Sequence, residues 1–209
     1  MSRFRLYAAL ALFVALIAAP LDLSGAQTDA CSPTHTENLS GELVVAGPTL
    51  SDPNFWHTVV FIAEHNSTGA FGLVVNRPVG RLPIATLIEA AGVPEPDVEG
   101  DVGVYYGGPV ESELGFVLHS TDYADETTVK VNERFALSSG LEILRALAKA
   151  AGPERSLFAL GYAGWGAGQL ESEIRRGDWY TIPADEALIY DIHAEEAWEE
   201  AASRGCFEI

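Results

Sequence analysis

Residues 57–76 read HTVVFIAEHNSTGAFGLVVN, two apolar, β-rich runs parted by Asn66-Ser67-Thr68-Gly69. Runs of Val, Ile, Phe and Thr around a short Gly-containing turn spell a β-hairpin. The first run ends in Glu64 and His65; the second ends in Asn76 and leads into Arg77-Pro78. Proline has no N–H to give a ladder, so the chain is expected to leave the hairpin at Arg77-Pro78. Polar residues at the ends of two strands can serve as a reaction centre, as a binding rim, or as hairpin ends meeting water.

Before the hairpin, ELVVAG (42–47) reads as a short strand and LSDPNF (50–55) as a loop. After it, 83–91 suits a helix with Pro83 in the first turn and Gly92 as its stop. VGVYYGG (102–108) and LGFVLHS (114–120) read as strands joined by residues 109–113, and TTVKV (127–131) as another. In 138–152, Leu141, Leu144, Leu147, Ala148 and Ala151 fall on one helical stripe, with Ser138 or Ser139 as cap and Gly152 as stop. SLFALGYA (156–163) is a buried strand and 166–177 a short helix with Leu170 and Ile174 inward. DWYTIPAD (178–185) and ALIYD (187–191) are strand-like, and 194–204 is an acidic terminal helix. Strands and helices mix without βαβ alternation, which predicts an α+β domain with a mostly antiparallel sheet.

The chain has 209 residues, 12 of them basic and 30 acidic, a formal charge of −18. Such a surface repels phosphate backbones, so direct nucleic-acid binding is not expected. The first residues are MSRFR, then an unbroken apolar run over 6–19, Pro20, and Ser24-Gly25-Ala26 ahead of Gln27. That is the layout of a secretory signal peptide over 1–26, too short for an ordinary span; an uncleaved anchor is the alternative. Its removal leaves 10 basic against 29 acidic residues. Residues 27–40 read as a flexible leader and 41–209 as a single domain, periplasmic or secreted and off the membrane once the signal is removed. A translation start near Leu39 would instead leave it cytoplasmic. Export makes the only two cysteines, Cys31 and Cys206, a disulfide candidate.

Several stretches together resemble the YqgE/AlgH family: residues 41–80, YYGGPVESELGFVLHS (105–120), LGYAGWGAGQLESEI (160–174) and DWYTIPAD. The resemblance runs from about Gly41 to Ile192 and implies an α+β fold whose bifurcated, barrel-like sheet carries helices outside. It implies a regulatory role and no established reaction or cofactor. The chain departs from the family in its signal-like leader, in Ala63 where relatives often carry Cys, and in Asp178 where they often carry Asn.

His65 and His119 stand at strand ends, beside Glu64 and Ser120 respectively, and a His near a carboxylate can act as general base. No GxSxG, HExxH or CxxC accompanies them, so structural or rim roles are the competing reading. Gly107-Gly108-Pro109 offers either an anion cradle or a turn. Gly161, Gly164, Gly166 and Gly168 around Tyr162 and Trp165 would admit a ligand or let Trp165 pack closely, in which case Gly164→Val destabilises. The histidines at 35, 57, 65, 119 and 193 lack metal-ligand spacing. Asn76 and Arg77 either bond the turn they leave or join Gly108 and Gly166 around an anionic ligand. These features predict a non-enzymatic binding or regulatory domain with no cofactor and a protein or small-molecule partner. A hydrolase using His65 or His119 and an accessory protein docking through its acidic face are the alternatives.

Overall fold

The computed structural model describes residues 38–95 and 97–205. Ten strands and five helices follow one another in the order β1 (Glu42–Ala46), β2 (Val59–Asn66), β3 (Gly69–Val74), β4 (Pro78–Pro83), α1 (Ile84–Ala90), β5 (Asp101–Tyr106), β6 (Val110–Ser120), β7 (Val129–Lys130), β8 (Phe135–Ser138), α2 (Leu141–Ala148), β9 (Ser156–Gly166), α3 (Gln169–Arg175), β10 (Trp179–Pro183), α4 (Glu186–Tyr190) and α5 (Ala194–Arg204). The fold is α+β, with a mostly antiparallel, curled half-barrel sheet. Cys31 and Cys206, the signal-like segment and nearly all of the expected leader lie outside the described residues.

The hairpin of 57–76 is present, with Asn66 paired to Gly69 across a two-residue turn. The Asn66 carboxamide accepts the Thr68 amide at 2.8 Å and its hydroxyl at 2.6 Å, a local bond that fixes the turn. One residue, Ala63, is extra on β2: Ile62 faces Gly72 but Glu64 faces Phe71. Such a bulge bends the strand and brings adjacent side chains to one side.

Eight strands run in the order β10-β1-β2-β3-β9-β6-β8-β7. The long β9 makes the sheet fork. Its C-terminal part pairs with β3 (Phe71 opposite Gly164), and its N-terminal part pairs on the same edge with β5, the one parallel pairing. Its other edge takes β6. Alternation along β9 sends Leu157 and Ala159 to the larger core and Phe158 to a smaller one under α1 and α2, where Ile88 and Ile143 are fully buried. The larger core includes Leu170, Leu188 and Trp198 from α3, α4 and α5.

Several expectations need correction. ALIYD is helical: the Asp185 carboxylate accepts the Ala187 amide at 2.8 Å and caps α4. Residues 110–113, expected as a joiner, open β6, and β5 and β6 flank β9 rather than each other. Ser138 is not a helix cap but the last residue of β8, and Gly140 occupies the N-cap of α2; Leu141, Leu144, Leu147 and Ala148 of the expected stripe do pack on the smaller core, joined there by the fully buried Ile143. Packing also starts ahead of Gly41, because Leu39 is buried.

Candidate functional site

The polar ends of the hairpin bind the protein to itself. Asn76 accepts the Val59 amide at 2.8 Å and donates to the His57 carbonyl at 2.9 Å, standing in for a strand neighbour. The Arg77 guanidinium donates to the carbonyls of Pro53, Asn54 and Trp56 at 3.0, 2.8 and 2.7 Å, and lies 5.8 Å from the Tyr106 ring centroid. Together they clasp the β1–β2 connection, not the turn they leave. That connection puts Phe55 against Trp165 and Trp179, whose indole N–H groups both donate to the same oxygen of Glu173, at 2.9 and 3.0 Å. His57, at φ 54°, is stacked between Trp56 and Trp198 at 3.9 and 3.8 Å. Only the run Phe55-Trp56-His57 hinted at this in the sequence.

His65 is 5 % exposed. Its Nδ1 accepts the Leu39 amide at 3.1 Å, so the neutral ring carries its proton on Nε2, 3.3 Å from Glu171 Oε1. Glu64, next along the strand, faces outward and accepts from Asn66 at 2.7 Å. The pair therefore does not form a carboxylate–imidazole unit.

His119 is wholly buried. Its Nδ1 lies 2.8 Å from the Ser120 carbonyl, which can only accept, so Nδ1 holds the proton and Nε2 accepts from the Ser138 hydroxyl at 3.0 Å. Ser138 in turn accepts from Thr128 at 2.7 Å, and Thr128 accepts the Asp125 amide at 2.8 Å. This directed chain ties the 121–128 loop to β6 and β8. Burial pushes the His119 pKa down, against the opposing pull of the Ser120 carbonyl and of Asp125 and Asp122. Ser138 and His119 have the spacing of a nucleophile and its base, yet Ser138 is 1 % exposed.

Gly108 packs backbone to backbone on β9: a Cβ there would lie 2.1 Å from the Tyr162 carbonyl carbon. Gly166 donates its amide to the Gln169 side chain at 3.0 Å. It lies four strand residues, roughly 13 Å, beyond Tyr162, so Gly108 and Gly166 do not meet around one ligand, while Asn76 and Arg77 line an open pocket with Tyr106 and Glu195. Among the described residues, no three His, Cys, Asp or Glu side chains converge as a metal site, and no helix is long and apolar enough to cross a membrane.

What the hairpin does help build is a groove of about 240 Å³ on the side of the Ala63 bulge. Ala63, Phe71, Phe116, Val129, Val131 and Leu137 supply its apolar lining, and Glu64, Thr127 and Ser139 its polar part. Phe71, Phe116 and Tyr162 form a cluster of rings with centroids 4.8–6.0 Å apart. These residues come from β2, β3, β6, β7, β8 and β9, with Thr127 and Val131 flanking β7 and Ser139 just past β8, so no local stretch of sequence announces them.

The fold and this site can be set beside known proteins. The AlgH-like family matches residues 43–208. The chain belongs to the AlgH-like family. A UPF0301 protein of a Jannaschia species is 43% identical over 171 residues, 81% of this chain and 89% of the relative. One from Rhodospirillum rubrum is 40% identical over 170 residues, covering 81% and 88%. The solution structure of the AlgH protein from Pseudomonas aeruginosa is similar at a TM-score of 0.70 and 41% identity, over 85% of this chain and 92% of that one. A fold of this kind is a scaffold that hosts function rather than naming it, so the activity has to be argued from the site.

Proposed function

We propose that this AlgH-like chain is a non-enzymatic binding domain with a regulatory role, and that its contact site is the groove on the Ala63 side of the hairpin. One observation carries the reading. The His65, His119, Asn76 and Arg77 side chains are committed to holding the chain together, whereas Val129 in the groove is 63 % exposed with its apolar surface in water. The test uses indole, a neutral aromatic probe, in a nitrogen-15 NMR titration of the protein. The amides of 63–71 and 129–137 should shift, and Val129→Asp, at an exposed position that tolerates the change, should remove the response. No shift at those amides would overturn the groove reading.

The Ser138–His119 contact of 3.0 Å favours a second reading, a hydrolase whose 121–128 loop opens. Labelling of Ser138 by a fluorophosphonate would support it and count against the first.

The proposal includes export. The N-terminal charge, apolar run and Ser24-Gly25-Ala26 support cleavage before Gln27, and N-terminal sequencing of native protein checks this. A Cys31–Cys206 disulfide, formed by loss of two electrons to the oxidising compartment, would then make the non-reduced monomer two hydrogen atoms lighter. Gel shifts with duplex DNA and RNA at about 0.1 M salt should show no complex.

A further inference from the structure

The groove's size, its charge and its hydrogen-bond inventory together narrow what it can hold. At about 240 Å³ it is smaller than the roughly 300–1,000 Å³ of sites that enclose a small molecule. It suits one large apolar side chain, the way an anchor residue of a partner fills a pocket. The lining rings and aliphatic groups give such an anchor apolar contact from Phe71 and Phe116 on one part and Val129, Val131 and Leu137 on another.

The polar lining is unequal. The Thr127 hydroxyl already donates to Asp125 Oδ1 at 2.7 Å and accepts the Gly140 amide at 3.1 Å. Glu64 accepts only from Asn66, on Oε1, leaving Oε2 without a described partner. Glu64 is also the single formal charge on the lining. Lys130, the cation within the lining's own stretch of sequence, lies between the groove residues Val129 and Val131. Strand alternation turns it to the other face, and Glu133 holds its ammonium at 2.7 Å. Glu64 is therefore not neutralised from that side, and the chain's overall charge of −18 adds to the same sign.

We propose that the groove seats an aromatic or branched aliphatic side chain of a partner polypeptide, and that Glu64 reads a Lys or Arg next to that anchor. This rests on the binding-domain reading above and adds the sign and class of the partner.

The probes are two blocked tripeptides, acetyl-Lys-Phe-Lys-amide and acetyl-Glu-Phe-Glu-amide, titrated into the full protein and followed by nitrogen-15 NMR. The basic peptide should shift the amides of 63–71 and 129–137 and bind about tenfold more tightly, since attraction for one probe and repulsion of the other add. Glu64→Gln keeps an acceptor for Asn66 at an exposed position; it should shrink the preference to less than about threefold. Val129→Asp should lose the response to basic peptide and indole alike. Equal binding of both peptides, with Glu64→Gln silent, would overturn the partner's charge while the groove reading stands. Failure of both peptides where indole still binds would overturn the polypeptide anchor. Failure of indole as well would sink the groove reading with it.

Discussion

The His119 ring accepts the Ser138 hydroxyl at 3.0 Å in a place where the two residues are 0 % and 1 % exposed. The imidazole is neutral there because charging it would bury a cation, and burial lowers its pKa below the ordinary 6.5. An unfolded His119 takes up a proton near 6.5, so the unfolded state binds more protons as the medium acidifies. The stabilisation held by the neutral ring is full above 6.5. It falls as pH drops through that value and is gone below the depressed folded value. Asp122 and Asp125 face the ring and limit the shift; their own pKa values are lowered, so their contribution is lost only at more acid pH. His119→Gln should flatten the pH dependence of the melting temperature between about pH 7.5 and 5.5, with a general loss of about 1–3 kcal/mol. A variant as acid-sensitive as the wild type in that window would refute the assignment.

Arg77 is expected to act as a clasp. Lysine keeps the charge but cannot reach three carbonyls with a planar fork. Arg77→Lys should therefore cost about 1–2 kcal/mol, reduced from a buried value because the bonds are solvent-exposed. Amide hydrogen exchange at residues 54–58 should quicken relative to the rest of the chain. Unchanged exchange there, with lost anion binding, would return Arg77 to a ligand-binding role.

How much of this was legible follows from the range of each interaction. The 57–76 hairpin is written locally, in its β-branched runs and its Asn66–Gly69 turn, and it is there. The strand β4 is hidden because Pro78, Gly80 and Pro83 spell a loop; as an edge strand paired only to β5 it needs few donors. Residues 187–191 look like a strand from their apolar run, and the Asp185 cap decides otherwise. The sequence places Asn76 and Arg77 at a strand end, but their partners at 53–59 follow from tertiary packing. The groove is less legible still. Phe71 and Phe116 meet because β9 joins β3 to β6, a pairing with no local signature.

Glu173 should matter through two indoles at once. Trp165 and Trp179 are buried, and both N–H groups end on one oxygen. Glu173→Ala would leave two buried donors without a partner, at about 1–3 kcal/mol each. Glu173→Gln retains an oxygen for them and loses the charge, so it should be milder by at least about 1 kcal/mol. Denaturant unfolding of the two variants compares them directly. Equal losses would mean that side-chain volume, not the shared acceptor, is what the site needs.

The glycines of β9 and of the 107–108 segment separate into two groups, and stability should follow the separation. Close packing led us to expect Gly164→Val to be destabilising, but Gly164 is exposed and outside the left-handed region. The nearest atom to a Cβ there would be the Tyr162 ring at 3.3 Å. A valine at that position faces Phe71 across the ladder and suits a strand, so the change should lie within about 1 kcal/mol of neutral. The constraint sits at the crossing of Gly108 and Gly161. Gly161 has φ 74°, and a Cβ on it would come 2.5 Å from the Gly108 carbonyl oxygen. Gly108 has φ 154°, and its Cβ would enter the Tyr162 peptide itself. Backbone on both sides cannot yield as a flexible side chain does. Gly108→Ala should thus cost more than about 3 kcal/mol, up to loss of the folded state. Thermal melts of Gly108→Ala and Gly164→Val beside the wild type check the contrast. A Gly108→Ala protein melting with the wild type would show that the two segments can part without loss.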